Sequence, residues 1–162
     1  MSIAKNKKIN VLKVEARNVI YIDKYVKFKI FNPEKILTDD INDNSIVMKL
    51  EYNNFSCLFT GDISKTIEQD LIKKYKNELK STVLKVTHHG SKTSSDEGFI
   101  KLFSPKISLI GVGKNNKFGH PNEKVLQTLK DINSKLFRTD NDGEIMLRIN
   151  KYGKIGVNAH IS

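Results

Sequence analysis

Three short stretches in the middle of this 162-residue chain carry side chains that could bind a metal or move a proton at the end of a structural element. Asp62 and the pair His88-His89 each follow a short apolar run, and His120 follows a glycine- and lysine-rich stretch. Carboxylate and imidazole groups are zinc ligands, and imidazole titrates near neutral pH. Side chains just past strand ends are exposed on a rigid support. The spacing therefore predicts a metal or acid–base site at the ends of two strands.

Each of these side chains also has an interpretation that needs no metal. An aspartate placed like Asp62 can simply cap the helix that follows. If the strand continues through His88 and His89, their rings point to opposite sides, so that one faces a given metal and the other supports the site or contacts substrate. His120 lies where a helix is expected to begin, which suits a phosphate but also a plain cap. The joint spacing of the aspartate and the histidine pair favours a site.

Two hairpins are expected to begin the scaffold. Period-two alternation at residues 19–30, with a turn at Asp23-Lys24, predicts the first hairpin, and residues 45–60, with a turn at Asn53-Asn54, predict the second. The returning strand of the second hairpin is apolar on both faces, which predicts a central position in a sheet. A shorter strand is expected at residues 11–14, after a frayed start.

Helices and strands alternate in the rest of the chain. A helical period at residues 63–80, with Thr66 and Gln69 as a capping box, predicts a helix, and buried strands are predicted at residues 82–87 and 106–112. The remaining predicted elements are a short helix capped by Ser94 with Glu97, a helix with Pro121 in its first turn, a tight turn at 141–143, a return strand at 145–149 and an edge strand at 151–157. Hairpins followed by alternating helices and strands predict an α/β fold, a mixed sheet flanked by helices in one domain over residues 1–162.

The composition is that of a globular protein with a strongly basic surface. The formal net charge is +10, from 28 Lys and Arg against 18 Asp and Glu, which favours a polyanionic partner such as nucleic acid. A general bias of the composition explains the charge equally well. Lys114 and Lys117 are candidates to bind an anionic substrate, although a solvated lysine surface accounts for them too. Cys57 is the only cysteine, which excludes an internal disulfide and a thiolate cluster, and no apolar run is long enough to span a bilayer.

Four sequence motifs, in this order, resemble the metallo-β-lactamase superfamily, and in particular the hydrolase domain of ComEC-type competence proteins. The resemblance extends from about residue 11 to residue 149. The motifs are Asn42-Asp43-Asn44-Ser45-Ile46-Val47-Met48-Lys49-Leu50, Leu58-Phe59-Thr60-Gly61-Asp62, His88-His89-Gly90-Ser91-Lys92-Thr93-Ser94-Ser95, and Gly113-Lys114-Asn115-Asn116 with Gly119-His120-Pro121.

The resemblance implies an αββα sandwich and a metal-dependent hydrolase, with two zinc ions in the complete domain, manganese as an alternative, and a metal-activated hydroxide as nucleophile. It implies metal ligation by Asp62, as the bridging carboxylate, and by His88 or His89. His89 and His120 are the corresponding catalytic candidates, and the expected substrate-binding residues are Ser91, Lys114 and Lys117. A ComEC-like protein would place this chain outside or at the membrane, and otherwise it would be cytoplasmic.

The chain departs from the family pattern in its metal ligands. The motif His-x-His-x-Asp-His is absent, because the only histidines are His88, His89, His120 and His160, and Asn44-Ser45 stands where many relatives have a further histidine. A catalytic zinc normally has three protein ligands. We therefore expect the second half of the fold, poorly active alone and partnered by an N-terminal half-domain or by a second copy. Half a sandwich is also expected to leave a sheet face bare, which favours dimerisation or an exposed apolar surface.

Three functional hypotheses remain open from the sequence. The leading one is a metal-dependent phosphodiesterase or nuclease linked to DNA uptake. A second is a non-catalytic module that keeps the fold and binds nucleic acid or takes part in assembly. A third is a phosphocholine-type esterase, because relatives with similar motifs hydrolyse such esters.

Overall fold

Within residues 2–35 and 37–161, which the computed structural model describes, the main element is a seven-stranded mixed sheet. Its strands follow one another across the sheet in chain order. They are β1 (Val19–Tyr21), β2 (Val26–Asn32), β3 (Val47–Tyr52), β4 (Phe55–Phe59), β5 (Val83–Lys85), β6 (Ile107–Ile110) and β7 (Lys135–Arg138). Strands β1 to β4 are antiparallel, and β4 to β7 are parallel. The carboxyl ends of β4, β5 and β6 therefore meet at one edge.

Helices α2, α3 and α4 connect the parallel strands and pack on one face of the sheet. The helices are α1 (Ser2–Asn6), α2 (Lys65–Tyr75), α3 (Glu97–Phe103), α4 (Glu123–Asp131) and α5 (Thr139–Asp142), with 3-10 helices at Asn42–Asn44, Lys76–Leu79 and Thr87–Gly90. Leu71, Phe99 and Leu129 from the three packed helices are buried against Leu58 and Leu84 of the central strands. Parallel strands buried in this way need continuous apolar runs, as β4 and β5 have. The prediction of an α/β fold with a mixed sheet flanked by helices is confirmed.

A separate hairpin, β8 (Glu144–Ile149) with β9 (Ile155–His160), covers the other face of the sheet. Its inward side chains pack on a second apolar cluster formed by β3 to β7. Cys57 lies in this cluster, where burial raises the pKa of its thiol to about 12, so the cysteine is a core residue. The hairpin thus covers the face that we expected to be bare. The predicted edge strand at 151–157 is β9, which pairs with β8.

Most of the large exposed apolar side chains lie instead in the first 46 residues. Leu12, Leu37 and Ile46 are largely exposed and line a groove of about 590 Å³. The predicted strand at residues 11–14 is wrong, because this segment makes no sheet pairing and leaves Leu12 in solvent. The start of the chain, which we expected to be frayed, forms helix α1.

The residues predicted at the starts of α2, α3 and α4 were wrong. Helix α2 begins after Ser64, whose N–H and hydroxyl both donate to the Asp43 carboxylate, at 2.7 and 3.0 Å. Helix α3 is capped by Asp96, which accepts from the Gly98 N–H at 2.9 Å. Asn122 caps α4, so that Pro121 precedes the helix. In α2 a contact from a distant loop sets the helix start, which a local sequence pattern does not reveal.

Candidate metal centre

The predicted site residues lie at the carboxyl edge of three adjacent parallel strands. Asp62 follows β4, His88 and His89 follow β5, and His120 ends the loop after β6. Open α/β sheets bind ligands at such an edge, because the loops there are exposed while the strands hold them in place. The structure therefore brings together residues that are up to 58 positions apart in sequence.

The turn before Asp62 depends on Gly61. Gly61 has φ +56°, and a Cβ at this position would lie 2.5 Å from the Cβ of Ser45. The close approach lets the Ser45 hydroxyl accept a hydrogen bond from the Asp62 N–H at 3.2 Å, while the Gly61 carbonyl accepts from the His88 N–H at 3.0 Å. The Asn42–Ser45 segment therefore fixes the backbone of Asp62. Asn32 holds this segment in turn, because its amide donates to the Ser45 carbonyl at 2.8 Å.

Both histidines after β5 adopt left-handed backbone conformations. His88 has φ 47° and ψ 47°, and His89 has φ 55° and ψ 22°. Strand geometry thus ends before this pair, so the condition under which the two rings would point to opposite sides is not met. Their ring centroids are 6.2 Å apart, and the His120 ring lies 5.8 Å from His88 and 6.5 Å from His89. Three imidazoles therefore form one cluster. The fourth histidine, His160, belongs to β9.

A buried polar cluster behind the loop holds this unusual backbone. The side chain of Glu68, fully buried on α2, accepts hydrogen bonds from the N–H groups of Ser95 at 2.8 Å and Asp96 at 2.7 Å. The hydroxyls of Ser94 and Ser95 donate to the Thr87 carbonyl at 3.4 and 3.2 Å. Burial raises the pKa of Glu68 to about 7, although the hydrogen bonds from the N–H groups of Asp96 and Ser95 lower that pKa. We did not single out Glu68 from the sequence, because it stands among other polar residues of a helix whose apolar positions carry the periodic signal.

The geometry of His89 suits metal ligation. Its Nδ1 contacts the carbonyl oxygen of Gly111, and since a carbonyl can only accept, Nδ1 carries the proton. The other ring nitrogen, Nε2, then has a free lone pair and lies 4.0 Å from Oδ1 of Asp62. Metal-binding histidines are commonly oriented by such a bond from the second nitrogen. Of the two histidines after β5, His89 is the one that this geometry favours as a ligand.

The separation of Asp62 and His89 is compatible with a shared metal ion. Two ligands about 2.1 Å from a tetrahedral zinc lie about 3.4 Å apart, so the 4.0 Å between His89 and Asp62 requires only a small movement. Within residues 2–35 and 37–161, including this site, no group of three or more His, Cys, Asp or Glu side chains is arranged to hold a metal. His88 and His120 are near enough to contribute only after their rings move. The described residues thus provide two candidate ligands of a metal site.

Two side chains near the cluster, His120 and Lys85, have lowered pKa values. Partial burial lowers the pKa of His120, and repulsion from His88 and His89 lowers it further, which favours the neutral ring that can bind a metal or accept a proton. Lys85, at the end of β5, donates from Nζ to the Val86 carbonyl at 3.1 Å. Burial lowers the pKa of Lys85, while the charge of Asp62 acts in the opposite direction. Its alternating position on a predicted strand gave no reason to place it near Asp62.

The predicted substrate-binding residues have different surroundings. Ser91 is buried, and its hydroxyl pairs with that of Thr93 at 2.9 Å, within the loop. Lys114 and Lys117 are exposed on the loop after β6. The same loop contributes to a largely apolar pocket of about 360 Å³, lined by His89, Gly111, Val112, Gly113, Asn116, Phe118 and His120. Neither lysine lines this pocket, but each is the neighbour in sequence of a lining residue, Gly113 for Lys114 and Phe118 for Lys117.

Comparison with known proteins places the chain in a family. The chain is 37% identical over 155 residues to ComE operon protein 3 of Bacillus subtilis, which covers 95% of the chain. The chain is a homologue of ComEC-type competence proteins. It is also 33% identical over 128 residues, or 79% of the chain, to competence protein ComA of Neisseria gonorrhoeae. To recombination protein 2 of Haemophilus influenzae it is 31% identical over 118 residues, or 73% of the chain. No family model matches the chain.

The chain spans a fifth or less of the length of these ComEC-type relatives: 20%, 18% and 15% respectively. Its fold is similar to the crystal structure of a protein from Parabacteroides distasonis assigned as a metal-dependent hydrolase, with a TM-score of 0.55 over 83% of this chain and 60% of that one. At 16% identity this likeness concerns the fold. The resemblance to metallo-β-lactamase-like ComEC proteins that the motifs predicted is confirmed. Among the helices of the described residues, none has the length and apolarity to cross a membrane.

Proposed function

We propose that this chain provides one half of a metal-dependent phosphodiesterase site that acts on nucleic acid during DNA uptake. The observation that carries the proposal is the Asp62–His89 pair, in which the contact of Nδ1 with the Gly111 carbonyl leaves Nε2 of His89 as the unprotonated nitrogen, 4.0 Å from the carboxylate. The homology to ComEC-type competence proteins supports the link to DNA uptake. The fold of a metal-dependent hydrolase supports the reaction class.

Asp62 and His89 would hold the metal, with His88 as a further ligand. Zinc suits this set of carboxylate and imidazole ligands, and manganese is the alternative. When bound, such an ion lowers the pKa of its water to about 7 and polarises a phosphoryl oxygen. The residues of the chain itself orient the reaction: Gly111 fixes the proton of His89, and the lowered pKa of His120 keeps that ring available as a proton acceptor.

Lys114 and Lys117 would bind the phosphates of the substrate. Both are exposed on the loop that supplies Gly113, Asn116, Phe118 and His120 to the pocket. A net charge of +10 adds a general attraction for a polyanion. Ser91, which is buried and paired with Thr93, would support the loop and not contact substrate directly.

The remaining metal ligands would come from a preceding half-domain, carried on the same or on another polypeptide. Its docking surface would be the apolar groove of Leu12, Leu37 and Ile46. The groove adjoins the site, because Ile46 follows Ser45, whose hydroxyl bonds to the backbone of Asp62. In a ComEC-like protein the assembled domain would lie outside the membrane. A homodimer is the other possible source of the ligands.

A non-catalytic role in nucleic-acid binding is the second candidate. The observation that favours it is that no group of three or more potential ligands comes together in the described residues. In that case the chain would bind nucleic acid through its basic loops without hydrolysing it.

Zinc binding and phosphodiester hydrolysis together test the proposal. Isothermal titration of zinc into the purified chain should give one weak equivalent, and Asp62→Ala or His89→Ala should weaken it by more than about tenfold. His160→Ala is the control, because this histidine lies in β9, and it should bind zinc as the wild type does. Hydrolysis of bis(p-nitrophenyl) phosphate by the chain alone should be slow and should rise when a half-domain carrying His-x-His-x-Asp-His is added.

Three results would contradict parts of the proposal. Zinc affinity unchanged by both variants would remove Asp62 and His89 from the metal site. Two tight zinc equivalents and rapid turnover by the monomeric chain would show that no other segment is needed. Activity that depends on chain concentration would identify a second copy as the source of the missing ligands.

A further inference from the structure

Phe118 is an exposed aromatic side chain that the metal site itself does not explain. It is 80% exposed, on the loop between β6 and α4, and its ring lines the pocket beside the histidine cluster. An isolated exposed phenylalanine needs no special cause. This one differs from the other exposed aromatic residues, since it borders the candidate centre.

The loop that carries Phe118 is tightly held. The Asn116 side chain accepts from the N–H groups of Phe118 and His120, at 3.2 and 3.0 Å, and donates to the His120 carbonyl at 2.7 Å. The base of the loop is fixed by Thr139, whose hydroxyl accepts from the Val112 N–H at 2.7 Å and donates to the Val112 carbonyl at 2.8 Å. The apolar ring is therefore presented to solvent by an ordered loop. Such preorganisation reduces the entropy lost when a ligand binds.

The Phe118 ring continues a stack that leads to the candidate metal ligands. It lies 5.9 Å from the His120 ring, with 20° between the planes, and His120 lies 6.5 Å from His89, again at 20°. The outer face of this row is a flat, nearly parallel aromatic surface. A planar ring of a ligand can extend the row at the Phe118 end.

The charge of the loop selects an anionic ligand. Residues 111–121 contain Lys114 and Lys117 and no Asp or Glu. Aromatic side chains beside basic residues are the usual surface for single-stranded nucleic acid, in which bases stack on the rings and phosphates bind the cations. A flat ring and two cations on one short loop provide both elements.

We propose that Phe118 is a stacking platform for one nucleobase of single-stranded nucleic acid, with Lys114 and Lys117 on the adjoining phosphates. This inference rests on the proposed function, because it names the form in which nucleic acid would reach the site. The stack would place the phosphodiester next to the bound base near His120 and His89. Stacking is tolerant of sequence, since every base has an aromatic face, so we expect little preference for base identity.

A single tryptophan provides a direct probe of stacking. The chain contains no tryptophan, so Phe118→Trp gives a fluorescence signal from this position alone. With EDTA present to prevent hydrolysis, oligothymidylate should quench that fluorescence, because a stacked base quenches indole. An abasic oligonucleotide of the same length, which has the phosphates without the bases, should bind more weakly and leave the emission unchanged.

Affinity measurements on alanine variants complete the test. Phe118→Ala should weaken the binding of fluorescein-labelled oligothymidylate by at least about fivefold, as measured by anisotropy, and Phe118→Trp should retain it. Tyr152→Ala is the matched control, because Tyr152 is 74% exposed with the Lys151 ammonium 5.1 Å from its ring, but lies on the β8–β9 turn. This control should bind as the wild type does.

The outcomes separate this inference from the proposed function. Wild-type binding that is unaffected by Phe118→Ala, or equal quenching by the abasic oligonucleotide, overturns the stacking platform alone. Quenching by anionic lipid vesicles and not by oligonucleotide assigns Phe118 to a membrane surface and also overturns it. If the wild type binds no oligonucleotide in low salt, both the platform and the nucleic-acid substrate fail, whereas zinc binding and hydrolysis of bis(p-nitrophenyl) phosphate can still succeed.

Discussion

The clearest test of how the histidine loop is held is Glu68→Gln. Glutamine keeps the size of the side chain, but its NH2 group cannot accept a hydrogen bond, whereas both oxygens of a carboxyl group keep lone pairs even when one carries a proton, so the variant must leave either the Ser95 or the Asp96 N–H without an acceptor. A buried donor left without a partner costs about 1–3 kcal/mol. At pH 5 we therefore expect the variant to be less stable than the wild type by about 2 kcal/mol.

The stability difference should depend on pH in a definite direction. The carboxyl pKa rises from an ordinary 4.5 to about 7 in the folded state. The folded protein therefore binds more protons than the unfolded chain between these values. The stabilisation is complete below pH 4.5 and is lost as the pH rises through 7. A shift of this size corresponds to about 3 kcal/mol, and glutamine does not titrate. The advantage of the wild type over Glu68→Gln should thus disappear by pH 8.

Urea denaturation followed by circular dichroism between pH 5 and pH 8 gives the required free energies of unfolding. Glu78→Gln is the control, because Glu78 is exposed and the same change of charge there should alter stability by less than about 0.5 kcal/mol at every pH. In NMR spectra of the native proteins, Glu68→Gln should shift the ring resonances of His88 and His89 and leave that of His160 unchanged. A stability difference that grows with pH would refute the reasoning, because the two N–H bonds would then outweigh the effect of burial.

Two further substitutions test single positions. Gly61→Ala should lower stability by more than about 2 kcal/mol, because φ is +56° and the new Cβ would lie 2.5 Å from that of Ser45. Gly113→Ala, whose Cβ would meet nothing within 4 Å, should leave the melting temperature nearly unchanged, and equal effects of the two alanines would contradict this account. Asp96→Ala should cost about 1 kcal/mol in urea denaturation by removing the α3 cap, and Asp96→Asn should recover most of it; no recovery would indicate that the carboxylate has another role.

The sequence was informative where the signal is local. The alternation at residues 19–30 and 45–60 predicted β1 to β4, and the asparagine pair at 53–54 predicted the turn between β3 and β4. Both predictions succeed because strand and turn preferences act between near neighbours. Lys49 shows the limit of this reasoning. It occupies a polar position of a strand, but it is buried, with its ammonium group donating to the Glu78 carbonyl. The burial of Lys49 depends on the packing of the 3-10 helix after α2, which no local strand pattern contains.

The candidate site was predicted in composition but not in arrangement. Asp62, His88, His89 and His120 could be selected because strand-end positions and side-chain chemistry are visible in the sequence. The direction of the histidine rings depends on left-handed backbone angles, which a buried carboxylate on another helix helps to impose. The role of His89 depends on the Gly111 carbonyl, supplied by the next strand. These contacts join distant parts of the chain, and no local pattern contains them.

The chain-order arrangement of the sheet has a consequence for how the protein folds during synthesis. No strand is inserted between two earlier ones, so each new strand can add to the edge left by the previous one. The antiparallel strands β1 to β4 need only short connections, whereas each later strand must wait for its helix. We therefore expect Asp62 to be positioned first, the histidine pair next and His120 last. A nascent chain released just after α3 would contain Asp62 and the histidine pair but not His120, and so would lack the cluster of three imidazoles.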